Sequence, residues 1–244
     1  MNTFNVIDLF AGAGGLSEGV FLANNNSDVK FNVLWANDFD AHCGDTFRYN
    51  HPNSLFKVGD IKEISEHESA NEINNKIHVI MGGPPCQGFS SMGTRLGTNK
   101  ELGRFIDDPR NELYKEFVRF VNKFQPYFFI MENVPGLFSY KKGLIKKQIL
   151  EDFNKIGYDV QVRVLNSAHY GVPQFRERAI FIGNKIGIKE RLHPTPTHAP
   201  IDNDDELKSY FVDTYELFDL KKEDLVDFGS KKTNNILLSI SRNK

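Results

Sequence analysis

A lone cysteine sits in Gly82-Gly83-Pro84-Pro85-Cys86-Gln87-Gly88-Phe89-Ser90, directly after the apolar run Ile77 to Met81. Two prolines fix φ on its N-terminal side and Gly88 frees the backbone after it, so the thiol is presented on a rigid turn at a strand end. Structural cysteines usually lie inside apolar runs, whereas this one has the placement of a nucleophile. Glu132, in Met131-Glu132-Asn133-Val134-Pro135-Gly136, follows the apolar run Tyr127 to Met131 and puts a carboxylate at the end of a neighbouring strand, where it can hold or donate a proton. Arg176 and Arg178 flank Glu177 just before the run Ala179 to Ile182. At period two both guanidiniums point one way, as recognition of a phosphate or a polar base edge requires.

A second constellation suits a nucleoside-type ligand. Asp8-Leu9-Phe10-Ala11-Gly12-Ala13-Gly14-Gly15-Leu16 follows the first strand and opens a helix, so glycines allow close backbone approach and helix N–H groups face the ligand. The loop lacks the Lys-Ser/Thr of a triphosphate site, and its Gly12-Ala13-Gly14 spacing departs from the dinucleotide fingerprint. Asp38, ending the second strand, is placed for a ribose hydroxyl pair, with Phe39 beside it to stack on a purine. Asp60 and Ile61, after the third strand, offer a carboxylate for an exocyclic amine and an apolar wall.

The elements that must carry these groups read as α/β. Apolar runs at Asn5 to Phe10, Val33 to Ala36, Leu55 to Val58, Ile77 to Met81, Tyr127 to Met131, Val160 to Leu165 and Ala179 to Ile182 alternate with amphipathic stretches. Those stretches are Leu16 to Asn24, Asp40 to Tyr49, Asn111 to Phe124 and Leu144 to Ile156. Nearly continuous hydrophobic strands predict a mostly parallel seven-stranded sheet with helices on both faces and function at the carboxyl ends of the strands. Residues 90 to 108, polar and glycine-rich, read as an active-site loop.

With 244 residues, 40% hydrophobic and 25% charged, the chain has the composition of one globular domain. No secretory signal or membrane-length apolar run is visible, so a cytoplasmic protein is expected. Cys43 and Cys86 give no metal-ligand spacing, and no metal site is expected. A net charge of −2 lacks the global basic surplus of a stand-alone nucleic-acid binder. The cluster Lys141, Lys142, Lys146 and Lys147 reads first as a solvated helix face. Beyond Gly183 the pattern decays, through a linker punctuated by Pro194, Pro196 and Pro200, into a weakly organised tail with an acidic stretch at Asp202 to Glu206, giving an expected division into a catalytic domain, 1–200, and a tail, 201–244.

Together these strings resemble the cytosine C5 DNA methyltransferase family. The matching motifs are DLFAGAGGL at 8–16, GGPPCQGFS at 82–90, MENVPG at 131–136 and YGVPQFRERAIFIG at 170–183, in the family's order. Shorter matches lie at Asn37-Asp38-Phe39, Gly59-Asp60-Ile61 and residues 108–113. The resemblance implies an S-adenosylmethionine-dependent, Rossmann-like methyltransferase fold. It implies S-adenosyl-L-methionine as cofactor, held by Phe10, Gly12, Gly14, Leu16, Asp38, Phe39, Asp60, Ile61, Pro85 and Leu113, and double-stranded DNA as substrate. It also implies that Cys86 adds to C6 of a flipped cytosine while Glu132 binds the N3 edge, Arg178 steadies the base and Arg176 positions them or contacts phosphate. Arg95 and Lys100, in the loop, would be available to phosphates.

Family members continue into a target-recognition region and a Gly-Asn-Ser-Val-type cofactor segment, and no such string occurs here. The expectation is a split or truncated restriction-modification methylase, or a piece of one, with a second subunit as a candidate partner. An RNA cytosine methyltransferase, an inactive cofactor-binding remnant and a dinucleotide-dependent oxidoreductase are the competing readings.

Overall fold

The computed structural model describes residues 3–26, 28–85, 113–139 and 143–198, and the side chains of Asn26 and Ser139 lie outside that description. Cys86, the loop after it and residues 201–244 lie outside the described residues.

The first strand, β1 (Thr3–Leu9), is buried continuously from Val6 to Leu9, the pattern of a central strand covered on both faces. Next come α1 (Gly15–Ala23), a short 3₁₀ turn, β2 (Lys30–Asp38), α2 (Ala41–Asn50), β3 (Leu55–Val58), α3 (Glu66–Ile73) and β4 (Val79–Gly82). The second half supplies α4 (Leu113–Phe124), β5 (Phe128–Asn133), α5 (Gly136–Ser139), α6 (Leu144–Lys155), β6 (Asp159–Asn166) and β7 (Glu177–Asn184). The seven strands form one sheet in the order β3-β2-β1-β4-β5-β7-β6. β1 pairs in parallel with β2 and β4, as do β2 with β3 and β4 with β5, whereas β5 and β7 run antiparallel. Chain order reverses between β1 and β4, so a crevice is expected at their carboxyl ends.

Alternation along β1 divides the core. Ile7 and Leu9 join Trp35, Phe117, Phe120, Phe129 and Phe153 on one face, and Val6 joins Val33, Phe47, Phe56 and Met81 on the other. Phe129 and Phe153 stack with centroids 4.0 Å apart. Each such ring removed from water contributes about 1.5–3 kcal/mol. Helix ends follow local chemistry: Asp40 accepts the N–H groups of His42 and Cys43 at the start of α2, and Ser65 accepts that of Glu68 in α3. The sequence reading omitted α3, although Ser65-Glu66-His67-Glu68 carries a capping-box spacing.

Two compact units are distinguished, residues 1–164 with 178–194 and residues 165–177 with 195–244. In the described part of the second, Asn166 caps the 3₁₀ turn Ser167–Tyr170, and the His169 carbonyl accepts N–H groups from Thr197 and His198. The Arg176 carbonyl accepts from Ser167 N–H at 3.0 Å, and the Arg176 side chain is exposed.

Candidate active site

The carboxyl ends of β1, β2 and β3 are joined by hydrogen bonds in which the backbone takes part. Ala11 N–H donates to the Asn37 carbonyl at 2.9 Å and Gly59 N–H to that of Asp38 at 3.0 Å. Buried Asn37 donates its side-chain amide to the carbonyls of Lys57 and Gly59, at 2.9 and 3.0 Å. Asp38 accepts Gly12 N–H on Oδ2 at 2.8 Å and Asp40 N–H on Oδ1 at 3.0 Å. Asp38 therefore fixes the glycine loop, and each oxygen keeps a lone pair for a hydroxyl. Phe10 and Gly12 take positive φ, 56° and 54°, and Gly14 reaches 98° as the N-cap of α1.

A Cβ on Gly12 would meet nothing within 4 Å among the described residues, which leave the loop open, and Phe39, 76% exposed, stands beside Asp38 at the end of β2. An open, backbone-lined cradle with a bare aromatic face and a half-buried carboxylate fits an adenosine-type group. Leu16 and Leu113, half-buried at the starts of α1 and α4, pack on the two sides of the core. Ile61 is buried in that core at 3% exposure, while Asp60 is exposed and accepts the N–H of Lys62. Arg119 on α4 holds this turn by donating to the carbonyls of Ile61 and Ile64.

Asp8 opens the glycine-rich motif, and sequence alone assigns it no role. It is fully buried, and its Oδ2 accepts the Ser17 hydroxyl at 2.7 Å. Burial pushes the Asp8 carboxyl up to about 7; Ser17 opposes the shift through its hydroxyl and N–H, and the like charge of Asp38 adds to it.

The second part of the site lies at the ends of β4, β5 and β7. Gly82 has no room for a side chain, since a Cβ there would lie 2.2 Å from the Leu9 carbonyl oxygen. Past it, Gly83-Pro84-Pro85 leads toward Cys86. The Asn133 amide, buried at the end of β5, donates to the Pro84 carbonyl at 3.3 Å while its oxygen accepts Val134 N–H. Glu132 Oε2 lies 3.3 Å from where a Cβ on Gly83 would be. Its Oε1 meets Arg178 Nε at 2.5 Å, with both side chains half-buried. The antiparallel register explains this pair. Glu132 lies opposite Ile180, and Arg178 shares that strand face two residues away, a diagonal that a long side chain spans.

The structure thus brings Glu132, Arg178, Gly83 and Pro84 together, and separately Gly12, Asp38 and Gly59. No His/Cys/Asp/Glu cluster suited to a metal occurs among the described residues, and no helix among them is long and apolar enough to cross a membrane.

A sheet of this order, with a glycine loop after β1 and acidic strand ends at β2 and β3, defines the Rossmann-like, S-adenosylmethionine-dependent methyltransferase class. Comparison with known proteins narrows it: a C-5 cytosine-specific DNA methylase model matches residues 4–243, and the chain belongs to that family. It is 44% identical over 195 residues to the type II methyltransferase M1.HphI of Haemophilus parahaemolyticus, covering 79% of this chain and 49% of that protein. Against M.AquIA of Picosynechococcus it is 37% identical over 206 residues, covering 80% of this chain and 77% of the relative. A solved structure described as a prophage-encoded DNA modification methyltransferase candidate (E. coli) matches with TM-score 0.61 and 36% identity, covering 75% of this chain and 47% of that one. The chain spans about half the length of the first curated relatives it matches.

Proposed function

We propose that the chain carries the chemistry of a DNA (cytosine-5)-methyltransferase of restriction-modification type, acting on a cytosine flipped out of double-stranded DNA. The observation that carries this reading is the Glu132–Arg178 pair, at the end of the strand beside the one leading to Cys86. Family membership and the cradle at Gly12 support it.

S-adenosyl-L-methionine, when bound, supplies the methyl group. Phe10, Gly12, Gly14, Leu16, Asp38, Phe39, Asp60, Ile61, Pro85 and Leu113 are the residues assigned to hold it. C5 of cytosine is a poor nucleophile, and addition of the Cys86 thiolate to C6 converts it to an enamine carbon that takes the methyl. Loss of the C5 proton to solvent leaves its bonding pair to re-form the C5–C6 double bond, which breaks the C6–S bond, expels the Cys86 thiolate and restores the aromatic base. Glu132 hydrogen-bonds the N3 edge and exocyclic amine and favours protonation at N3 as charge develops there. Arg178 holds the Glu132 carboxylate in one orientation, because a guanidinium pairs with a carboxylate in a fixed geometry. Arg176 is assigned to base positioning or phosphate contact. A free thiol has a pKa of about 8.5, so a thiolate at this position near neutral pH requires local positive potential.

The test is transfer of labelled methyl to duplex DNA by the purified chain, alone and with a lysate of its source. Cys86→Ser is expected to abolish it. Full transfer by that variant, or transfer to tRNA in place of duplex DNA, would overturn the reading.

A further inference from the structure

We propose that Asp8 is a positioning residue for the glycine loop that carries a proton in the empty protein and releases it when cationic S-adenosylmethionine binds. This rests on the cofactor reading above and extends it to a group that touches neither the base nor the thiol.

Asp8 lies within the buried stretch of β1, four residues before Gly12, and Ser17 lies three residues past Gly14 in α1. Their 2.7 Å hydrogen bond therefore closes the base of the loop across the turn. Both side chains are fully buried, and Asp8 Oδ1 has no hydrogen-bond partner among the described residues. A buried carboxylate with one bare oxygen is costly to ionise unless a cation comes near.

No such cation acts on it among the described residues. Its parallel neighbours are Ala36 on β2 and Met81 on β4, and neither titrates. From α1 the contact is Ser17, and the ionisable group acting from the end of β2 is Asp38, a second negative charge. Asp38 already holds Gly12 N–H, so one acid binds the loop backbone and the other the helix that follows it. A ligand with a net positive charge over this loop favours ionised Asp8, and the bare oxygen loses its proton. The shift of its carboxyl to about 7 places that event near neutral pH.

Calorimetric titration of the full chain with S-adenosylmethionine, in buffers of different ionisation enthalpy, counts the protons exchanged. S-adenosylhomocysteine has the same α-amino group and no sulfonium charge, so the difference between the ligands isolates the effect of that charge. The expected excess release for S-adenosylmethionine approaches one proton near about pH 6 and vanishes above about pH 8, because the free carboxyl is already ionised there. Affinity for S-adenosylmethionine rises with pH up to about 7 and is flat above. Asp8→Asn should remove the excess, and Ser17→Ala, which deletes a donor to the ionised form, should move it to higher pH.

Equal proton counts for the two ligands, or an unchanged excess in Asp8→Asn, would overturn the proposal while leaving the cofactor reading intact. Binding of neither ligand would overturn that reading and this one with it. Should Asp8→Asn fail to fold, Ser17→Ala decides: an unmoved proton-release curve refutes the coupling.

Discussion

The two ends of the site are built on different principles. Around Gly12 the loops after β1, β2 and β3 are fixed largely by backbone groups: Ala11 to Asn37, Gly59 to Asp38, Gly12 to the Asp38 carboxylate. At the other end the orientation of Glu132 depends on a pair of side chains, Glu132 with Arg178, set diagonally across β5 and β7. A backbone lattice is insensitive to most substitutions because every residue type except proline supplies the same N–H and C=O. A side-chain pair fails at a single change, and it can also respond to a bound base. The first construction suits a constant ligand, the role proposed for the cofactor end around Gly12, and the second suits groups whose charge changes during reaction, as proposed for Glu132 at the chemical end.

The sharpest way to break this contrast is Glu132→Gln. It keeps the shape but removes the acid proposed to face N3, and the expected loss in methyl transfer is about 10²–10⁴-fold. Cofactor affinity should stay within about twofold, since no Glu132 contact reaches the Gly12 loop among the described residues. Equal losses in both quantities would mean that the two ends act as one.

Next in size is Gly82→Ala, on the seam where β4 meets β1. Its Cβ would press on the Leu9 backbone oxygen at 2.2 Å, and a central strand cannot retreat as a flexible side chain can. A stability loss at the upper end of about 1–3 kcal/mol is expected in urea unfolding, with both functions impaired.

Asp8→Asn probes the buried acid at the cofactor end. With a folded value near 7, above that of an unfolded carboxyl, native Asp8 binds more protons than the unfolded chain between those limits. Its contribution is thus fully present below about pH 4 and is lost as pH rises through about 7. Thermal melts should show wild type losing stability relative to Asp8→Asn between pH 5 and pH 8. A constant difference would show that the carboxyl titrates normally.

Much of this molecule was legible from sequence because its strands are nearly continuous apolar runs. Leu55–Val58 coincides with its predicted run, and the others shift by one to three residues at an end. Glu132 was placed beside the Cys86-bearing strand from its position after an apolar run, and the β4–β5 pairing puts those strands together. The antiparallel insertion of β7 was not legible, since a run such as Ala179 to Ile182 carries no mark of direction. Yet that direction sets the Glu132–Arg178 diagonal. Asp38 illustrates a different limit: strand-end position marked it for a ligand, but not the two N–H groups that its carboxylate accepts. Asp8 looked like a motif letter because burial and the Ser17 bond are tertiary facts.

The smallest effect is expected at Lys57, where the contrast can be sharpened by a change that should do almost nothing. Lys57 Nζ meets Glu72 Oε1 at 2.9 Å, but its side chain is 45% exposed, so water and salt screen the pair. Exposed pairs of this kind contribute less than about 1 kcal/mol. The link from Lys57 to the cofactor end is its carbonyl, which accepts the Asn37 amide, and alanine supplies the same carbonyl. Glu72 keeps its second partner, the indole N–H of buried Trp35 at 3.2 Å. Lys57→Ala should therefore cost under about 1 kcal/mol in unfolding and leave S-adenosylmethionine affinity within about twofold. A larger loss of affinity would mean that the Lys57 side chain, and not the backbone alone, holds the loops after β2 and β3.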